Sequence, residues 1–178
     1  MGIPVNIPLF AGNEKKYLNE CIDTGWISSE GPFVKRFEEE FAHFVGQKYA
    51  VAVTNGTVAL DIAIQAAGIG KGDEVIIPSF TIISCASSVV LAGAKPIVVD
   101  VNPDDWNINV ELIEEAITPQ TKAIMPVHIY GLPSDMDPIR AIAKKHNLLI
   151  IEDAAQAHGL TYNQEQCGSM GDLSCFSF

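Results

Sequence analysis

Basic residues are scarce in this chain: Lys and Arg number 11 against 22 Asp and Glu, a formal net charge of −11 over 178 residues. Nucleic-acid binders neutralise phosphates with Lys and Arg, so no nucleic-acid partner is expected. Long apolar runs are missing as well; none reaches the ~18 residues of a membrane helix, and no membrane partner is expected. The opening MGIPVNIPLFAGNEKK has no basic stretch followed by an apolar one, so it does not read as a secretory leader. Asn6 stands where acylation at Gly2 needs Ser or Thr. With the acidic balance, these absences give the expectation of a cytoplasmic protein. The four cysteines, Cys21, Cys85, Cys167 and Cys175, include no C-x-x-C pair, which excludes a zinc knuckle or a thioredoxin-type motif. Cys85 and Cys175 lie in apolar runs and read as small core residues in a reducing compartment. There is no G-x-S-x-G, no H-E-x-x-H and no P-loop. No acidic or histidine cluster has obvious metal-ligand spacing, so no metal is expected.

What is present is an ordinary globular composition. Hydrophobic residues make up 48% and mean hydropathy is +0.20, which excludes a mostly disordered chain. Short apolar runs alternate with helical patterns. In VKRFEEEFAHFV at 34–45, Val34, Phe37, Phe41 and Phe44 fall at helical spacing. Strands are expected at 49–53 (YAVAV), 74–78, 96–100, 122–127, 148–153 and 173–178. Helices are expected at about 57–67, 81–91, 110–117 with Asn109 as cap, and 137–146 with Asp137 as cap and Pro138 at the first position. One short helix is expected near 13–23 in an otherwise irregular arm. The strands are continuous rather than alternating apolar runs, as in a parallel sheet covered by helices on both faces. Strand–helix alternation makes this an α/β layered fold. The chain stops at Phe178 inside an apolar run without a turn or cap, so the fold is expected to continue past it.

Three segments carry local chemical signals. TNGTV at 54–58 joins a strand to a helix, and free N–H groups at a helix N-terminus make either an anion site or simply a tight turn. GIGKGD at 68–73 follows a helix and precedes a strand, the reverse of a dinucleotide fingerprint, and reads as a helix stop. IEDAAQAHG at 151–159 puts carboxylates at the end of a buried strand, facing the crevice where α/β sheets bind ligands. Its Asp153 suits a metal, a base, a cationic ring nitrogen or strand-end capping. His128 also lies at a strand end, where a lone His is more often structural than catalytic. His43 and His146 read as solvated or half-buried.

Several segments in order go further: GWISSEGP at 25–32, TNGTVAL at 54–60, GDEVIIPSFT at 72–81, ITPQTKAIMPVHIYG at 117–131, EDAAQAHG at 152–159 and FSF at 176–178. Together they resemble the DegT/DnrJ/StrS family of nucleotide-sugar aminotransferases. Within the family they look most like enzymes that make a 4-amino-4,6-dideoxy sugar. The resemblance implies a three-layer α/β fold, the large domain of a fold type I pyridoxal-phosphate (PLP) transferase with a mostly parallel sheet, truncated before the small domain. Residues 1–30 would form an N-terminal arm and 31–178 the PLP-binding large domain.

The resemblance also assigns roles. Gly56, Thr57, Val58 and Ser177 would hold the PLP phosphate. Asp153 would pair with the ring nitrogen, keeping the ring an electron sink. Ala155 would pack on one ring face, and Gln156 would lie near the ring hydroxyl and the substrate. Ile82 occupies a position where many members stack an aromatic side chain, with Phe80 offset from it by two. The Schiff-base Lys of the family falls a few residues after Ser177, beyond Phe178, so no catalytic Lys is expected within the chain and the chain alone is expected to be inactive. The implied activity is transfer of an amino group from an amino acid, with glutamate as donor, to a keto-sugar nucleotide by a homodimer. Members with His at the Lys position act as sugar 3-dehydratases, and a truncated non-catalytic binding partner is a third reading.

Overall fold

The computed structural model describes residues 2–4 and 7–178, so Asn6, on which the acylation reading rests, and part of the 1–30 arm lie outside the described residues. Helix α1 (Glu14–Thr24) buries none of its residues. Helix α2 (Pro32–Val45) starts with Pro at its first position, where the missing N–H costs nothing, and stops at Gly46 in the left-handed conformation. Its expected apolar stripe forms: Phe37, Phe41 and Phe44 stack along one face. Helix α3 (Gly56–Ala66) is capped by Asn55, whose side chain accepts from the Val58 N–H at 3.0 Å.

The sheet follows. Strand β1 (Glu74–Pro78) is buried along its whole length, as a continuous apolar run requires. Helix α4 (Ile83–Leu91), strand β2 (Lys95–Val99), a 3-10 turn Val110–Leu112 running into the short α5 (Ile113–Ala116), strand β3 (Thr121–Ile124) and helix α6 (Met136–His146) come next. Strand β4 (Leu149–Asp153), a two-residue-arm hairpin of β5 (Thr161–Tyr162) and β6 (Glu165–Gln166), and strand β7 (Leu173–Cys175) complete the chain. The main sheet runs β2-β1-β3-β4-β7, and every neighbouring pair is parallel.

Side-chain alternation along the strands divides the core in two. Val75 and Ile77 join Leu60 and Ile64 of α3 and Val89 of α4 on one face. Ile76 joins Ile113 of α5 and Met136 and Ile139 of α6 on the other. The result is the expected three layers, with period-2 strands feeding two helical faces. Cys85 and Cys175 are buried core residues, as read from the sequence.

Four expectations need correction. The run at 49–53 is not a strand: Tyr49 and Val51 are exposed, and the Ala52 N–H donates to the Glu38 carboxylate at 2.8 Å rather than to a neighbouring strand. Strand β3 ends at Ile124, before Pro126, which cannot donate to a ladder. Strand β7 ends at Cys175, and 176–178 leave the ladder. Asp137 is not the α6 cap; it lies in the first turn and accepts from the Asn163 side chain at 2.9 Å, while Asp135 holds the cap position. The β5–β6 hairpin went unread, although Asn163 and Gln164 take the paired left-handed conformations of a two-residue turn.

Candidate functional site

Four segments converge at the carboxyl end of the sheet: the last residue of β4, the first turns of α3 and α4, and the segment after β7. Asp153 ends β4 and is 3% exposed. One carboxylate oxygen, Oδ1, accepts from the Ala155 N–H at 3.1 Å, and Oδ2 accepts from the Cys85 thiol at 3.1 Å. Cys85 in turn lies 3.3 Å from the Thr81 hydroxyl. Burial, then the neighbouring Asp153 charge, pushes the Cys85 thiol above the ordinary thiol range. The same two causes push Cys175 up to about 12. Both therefore stay protonated, and Cys85 acts as a weak donor to Asp153 rather than as a nucleophile.

The α3 N-terminus forms the second half. With the Val58 N–H taken by Asn55, the Gly56 and Thr57 N–H groups remain without intrahelical partners, at the positive end of the helix dipole. Ser177 is pressed against this turn. A Cβ at Gly56 would sit 2.9 Å from the Ser177 Cβ and 3.2 Å from its Oγ, so only glycine allows the approach. The F-S-F alternation explains how Ser177 gets there. Phe176 and Phe178 both pack edge-on against Phe41 of α2, at 4.9 and 5.2 Å between centroids, and the residue between them turns the other way.

The first turn of α4 joins the halves. The Ser84 hydroxyl lies 2.8 Å from the Thr57 hydroxyl, and the adjacent Cys85 reaches Asp153. Neither residue was singled out from the sequence as part of a site; their one signal was a Ser-Cys pair opening a helix just after a buried strand. Ile82 occupies the α4 cap position and is 61% exposed. Phe80 is engaged elsewhere, edge-on to Trp106 at 4.6 Å and tilted towards Tyr130 at 6.2 Å. Gln156 accepts from the Tyr130 N–H through Oε1 at 2.8 Å. The structure thus brings Gly56, Thr57, Val58 and Ser177 together, and links them through α4 to Asp153 and Ala155.

One sequence reading is corrected by strand geometry. Glu152 and Asp153 were read together as carboxylates facing the crevice, but adjacent strand residues point to opposite faces. Glu152 is fully buried on the far side, against His128 at 3.0 Å. Among the described residues, no helix is long and apolar enough to cross a membrane.

Comparison with known proteins gives the same picture from outside. Residues 9–178 match the DegT/DnrJ/EryC1/StrS aminotransferase family. The chain is 53% identical over 176 residues to a GDP-perosamine synthase of Caulobacter vibrioides, covering 99% of this chain and 47% of that protein. Among solved structures, an aminotransferase from Psychrobacter cryohalolentis superposes with a TM-score of 0.89 at 44% identity, covering 96% of this chain and 44% of that one. Spr1654 of Streptococcus pneumoniae in its PLP form superposes with a TM-score of 0.94 at 30% identity, covering 100% of this chain and 49% of that one. The chain spans about half the length of the relatives it matches. The three-layer sheet with its parallel order is the fold type I architecture of these PLP aminotransferases. From its sequence match and its fold, the chain belongs to the DegT/DnrJ/EryC1/StrS aminotransferase family.

Proposed function

We propose that the full-length polypeptide is a PLP-dependent aminotransferase, which moves the amino group of glutamate to a keto-sugar nucleotide in amino-dideoxy-sugar biosynthesis. The observation that carries this reading is the first turn of α4. Its two consecutive residues, Ser84 and Cys85, tie an anion cup at Thr57 to a buried carboxylate at Asp153. A ligand with a phosphate at one end and a protonated ring nitrogen at the other matches that pairing. The fit rests on two features. The missing Cβ at Gly56 lets the Ser177 hydroxyl approach the helix start, beside the backbone N–H groups that a phosphate would meet. Among the described residues, the Asp153 Oδ2 has only a weak thiol donor and retains capacity for a stronger one.

Bound there, PLP supplies an electron sink for the carbon that carries the amino group. The chain's own residues would do the rest. Gly56, Thr57 and Ser177 would hold the phosphate, and Val58, its N–H already taken by the Asn55 cap, would only complete the turn. Asp153 keeps the ring nitrogen protonated, and its burial away from water strengthens that interaction. Ala155 and Ile82 flank the ring with apolar surface. Gln156, whose side chain accepts from the Tyr130 N–H, would approach the ring hydroxyl and the sugar. The proton-shuttling Lys belongs to the residues following Ser177 in the longer protein, so the 178-residue chain alone is inactive in this reading.

Residues 31–178 would form the cofactor domain and residues 1–30 an arm. Leu18 and Ile22 of α1 and Phe10 before it are exposed, which supports their burial against a second copy in a homodimer. The Caulobacter relative's name supports the dideoxy-sugar product class.

The test uses the full-length polypeptide with PLP, L-glutamate and a 4-keto-6-deoxy sugar nucleotide. One 2-oxoglutarate should form per amino sugar, and Asp153→Asn should lower kcat on the order of a hundredfold. Loss of oxygen from the sugar without glutamate consumption would overturn aminotransfer in favour of the dehydratase reading.

A further inference from the structure

Glu152 has no place in the chemistry above, yet it is the most heavily bonded side chain in the core. It is 0% exposed, and both carboxylate oxygens are fully used. Oε2 accepts from His128 Nε2 at 3.0 Å and from the Gly168 N–H at 2.8 Å. Oε1 accepts from the Met170 N–H at 2.8 Å and the Gly171 N–H at 2.5 Å. A buried carboxylate is costly unless such donors surround it. Three of the four are backbone groups of one loop, 168–171, so the carboxylate sets that loop's conformation.

His128 is oriented for this contact. Its Nδ1 accepts from the Ser134 N–H at 3.1 Å, which leaves the ring proton on Nε2, donated to Glu152. Ser134 bonds in turn to the Val127 carbonyl at 2.9 Å and to Asn107 at 3.1 Å.

The held loop reaches Phe176, the chain neighbour of Ser177. Gly168 lies so close to Phe176 that a Cβ there would be 2.3 Å from the ring, with Val45 at 3.2 Å. The Phe176 carbonyl and the Ser177 side chain are what face Gly56, at 3.6 and 2.9 Å from a Cβ built there. A continuous line of contacts therefore runs from His128 through Glu152, Gly168 and Phe176 to Ser177. We propose that Glu152, oriented by His128, is a positioning residue for the phosphate cup: it holds the 168–171 loop, which seats Phe176 and so sets Ser177 against the α3 N-terminus.

This inference rests on the reading that the cup takes the PLP phosphate. Its test is binding, in the full-length polypeptide, of PLP, of pyridoxal (the same ring without the phosphate) and of inorganic phosphate as competitor. Glu152→Gln keeps the shape but turns an acceptor into a donor towards the loop. It should weaken PLP about tenfold and raise the phosphate needed for competition, while pyridoxal affinity changes less than about twofold. His128→Ala should act in the same sense, and His128→Gln, which can still donate to Glu152, should recover affinity. Phe176→Leu, which loosens the Gly168–Phe176 contact without touching the carboxylate, should reproduce the phosphate-selective loss. It serves as the second variant if Glu152→Gln fails to fold. Equal weakening of PLP and pyridoxal, or no change in either, overturns the positioning role. If the unaltered protein binds PLP no better than pyridoxal, the phosphate-cup reading itself fails, a distinct result.

Discussion

Gly56 shows how much one missing methyl group decides. Its φ is not in the left-handed range, so conformational freedom is not why glycine is there. The reason is approach: the Ser177 Cβ occupies the space that a Cβ at position 56 would need. Gly56→Ala should therefore destabilise by about 1–3 kcal/mol through overpacking and weaken PLP binding. Thermal unfolding and PLP titration of the full-length protein measure both. The double variant Gly56→Ala with Ser177→Gly should regain most of the stability but not the affinity, because the space is restored and the hydroxyl is not. If stability stays low in the double variant, the Gly56–Ser177 contact is not what excludes a side chain.

At the scale of elements, α3 needs Asn55 for two different things. As cap, it satisfies the Val58 N–H; as a neutral residue, it leaves the positive end of the helix free for an anion. Asn55→Ala should cost about 1 kcal/mol of stability from the lost cap. Asn55→Asp should keep the cap and the stability while weakening PLP relative to pyridoxal, because a second negative charge then faces the phosphate. Chemical denaturation and paired ligand titrations separate the two effects. An Asp variant with undiminished PLP affinity would show that the helix end does not face the phosphate.

The same scale explains which elements could be read in advance. β1 was legible from end to end, because a strand buried on both faces needs only an unbroken apolar run, and EVIIP is one. α2 was legible from its phenylalanine spacing. YAVAV at 49–53 has the composition of a strand and is not one, because a strand exists only where a neighbouring backbone pairs with it. Here Glu38 takes the Ala52 N–H instead. Local sequence cannot show whether a partner is present.

For the whole molecule, the distribution of apolar surface is the notable property. A cleft of about 410 Å³ opens between 49–55 and β7, walled by Phe37, Phe41 and Phe178. Tyr49, Val51 and Phe178 are 76%, 74% and 82% exposed, so three large apolar side chains line this cleft and face water together. The 178-residue chain expressed alone should self-associate, with a sedimentation coefficient that rises with concentration. Val51→Lys should shift it towards monomer. A concentration-independent monomer would show that this face tolerates water.

Composition, periodicity and motif order were enough to settle the layered α/β class, the parallel sheet and the two chemical landmarks, TNGTV at a helix start and Asp153 at a strand end. Those are properties of contiguous residues: runs, spacings and caps act over a few positions and are written along the chain. The pairing of Ser84 with Thr57 and of Cys85 with Asp153, the Gly56–Ser177 approach and the Glu152–His128 core pair bring together residues 24 to 121 positions apart. Such contacts exist because parallel crossovers return each strand end to one edge of the sheet, so their partners follow from how the layers pack rather than from any local pattern.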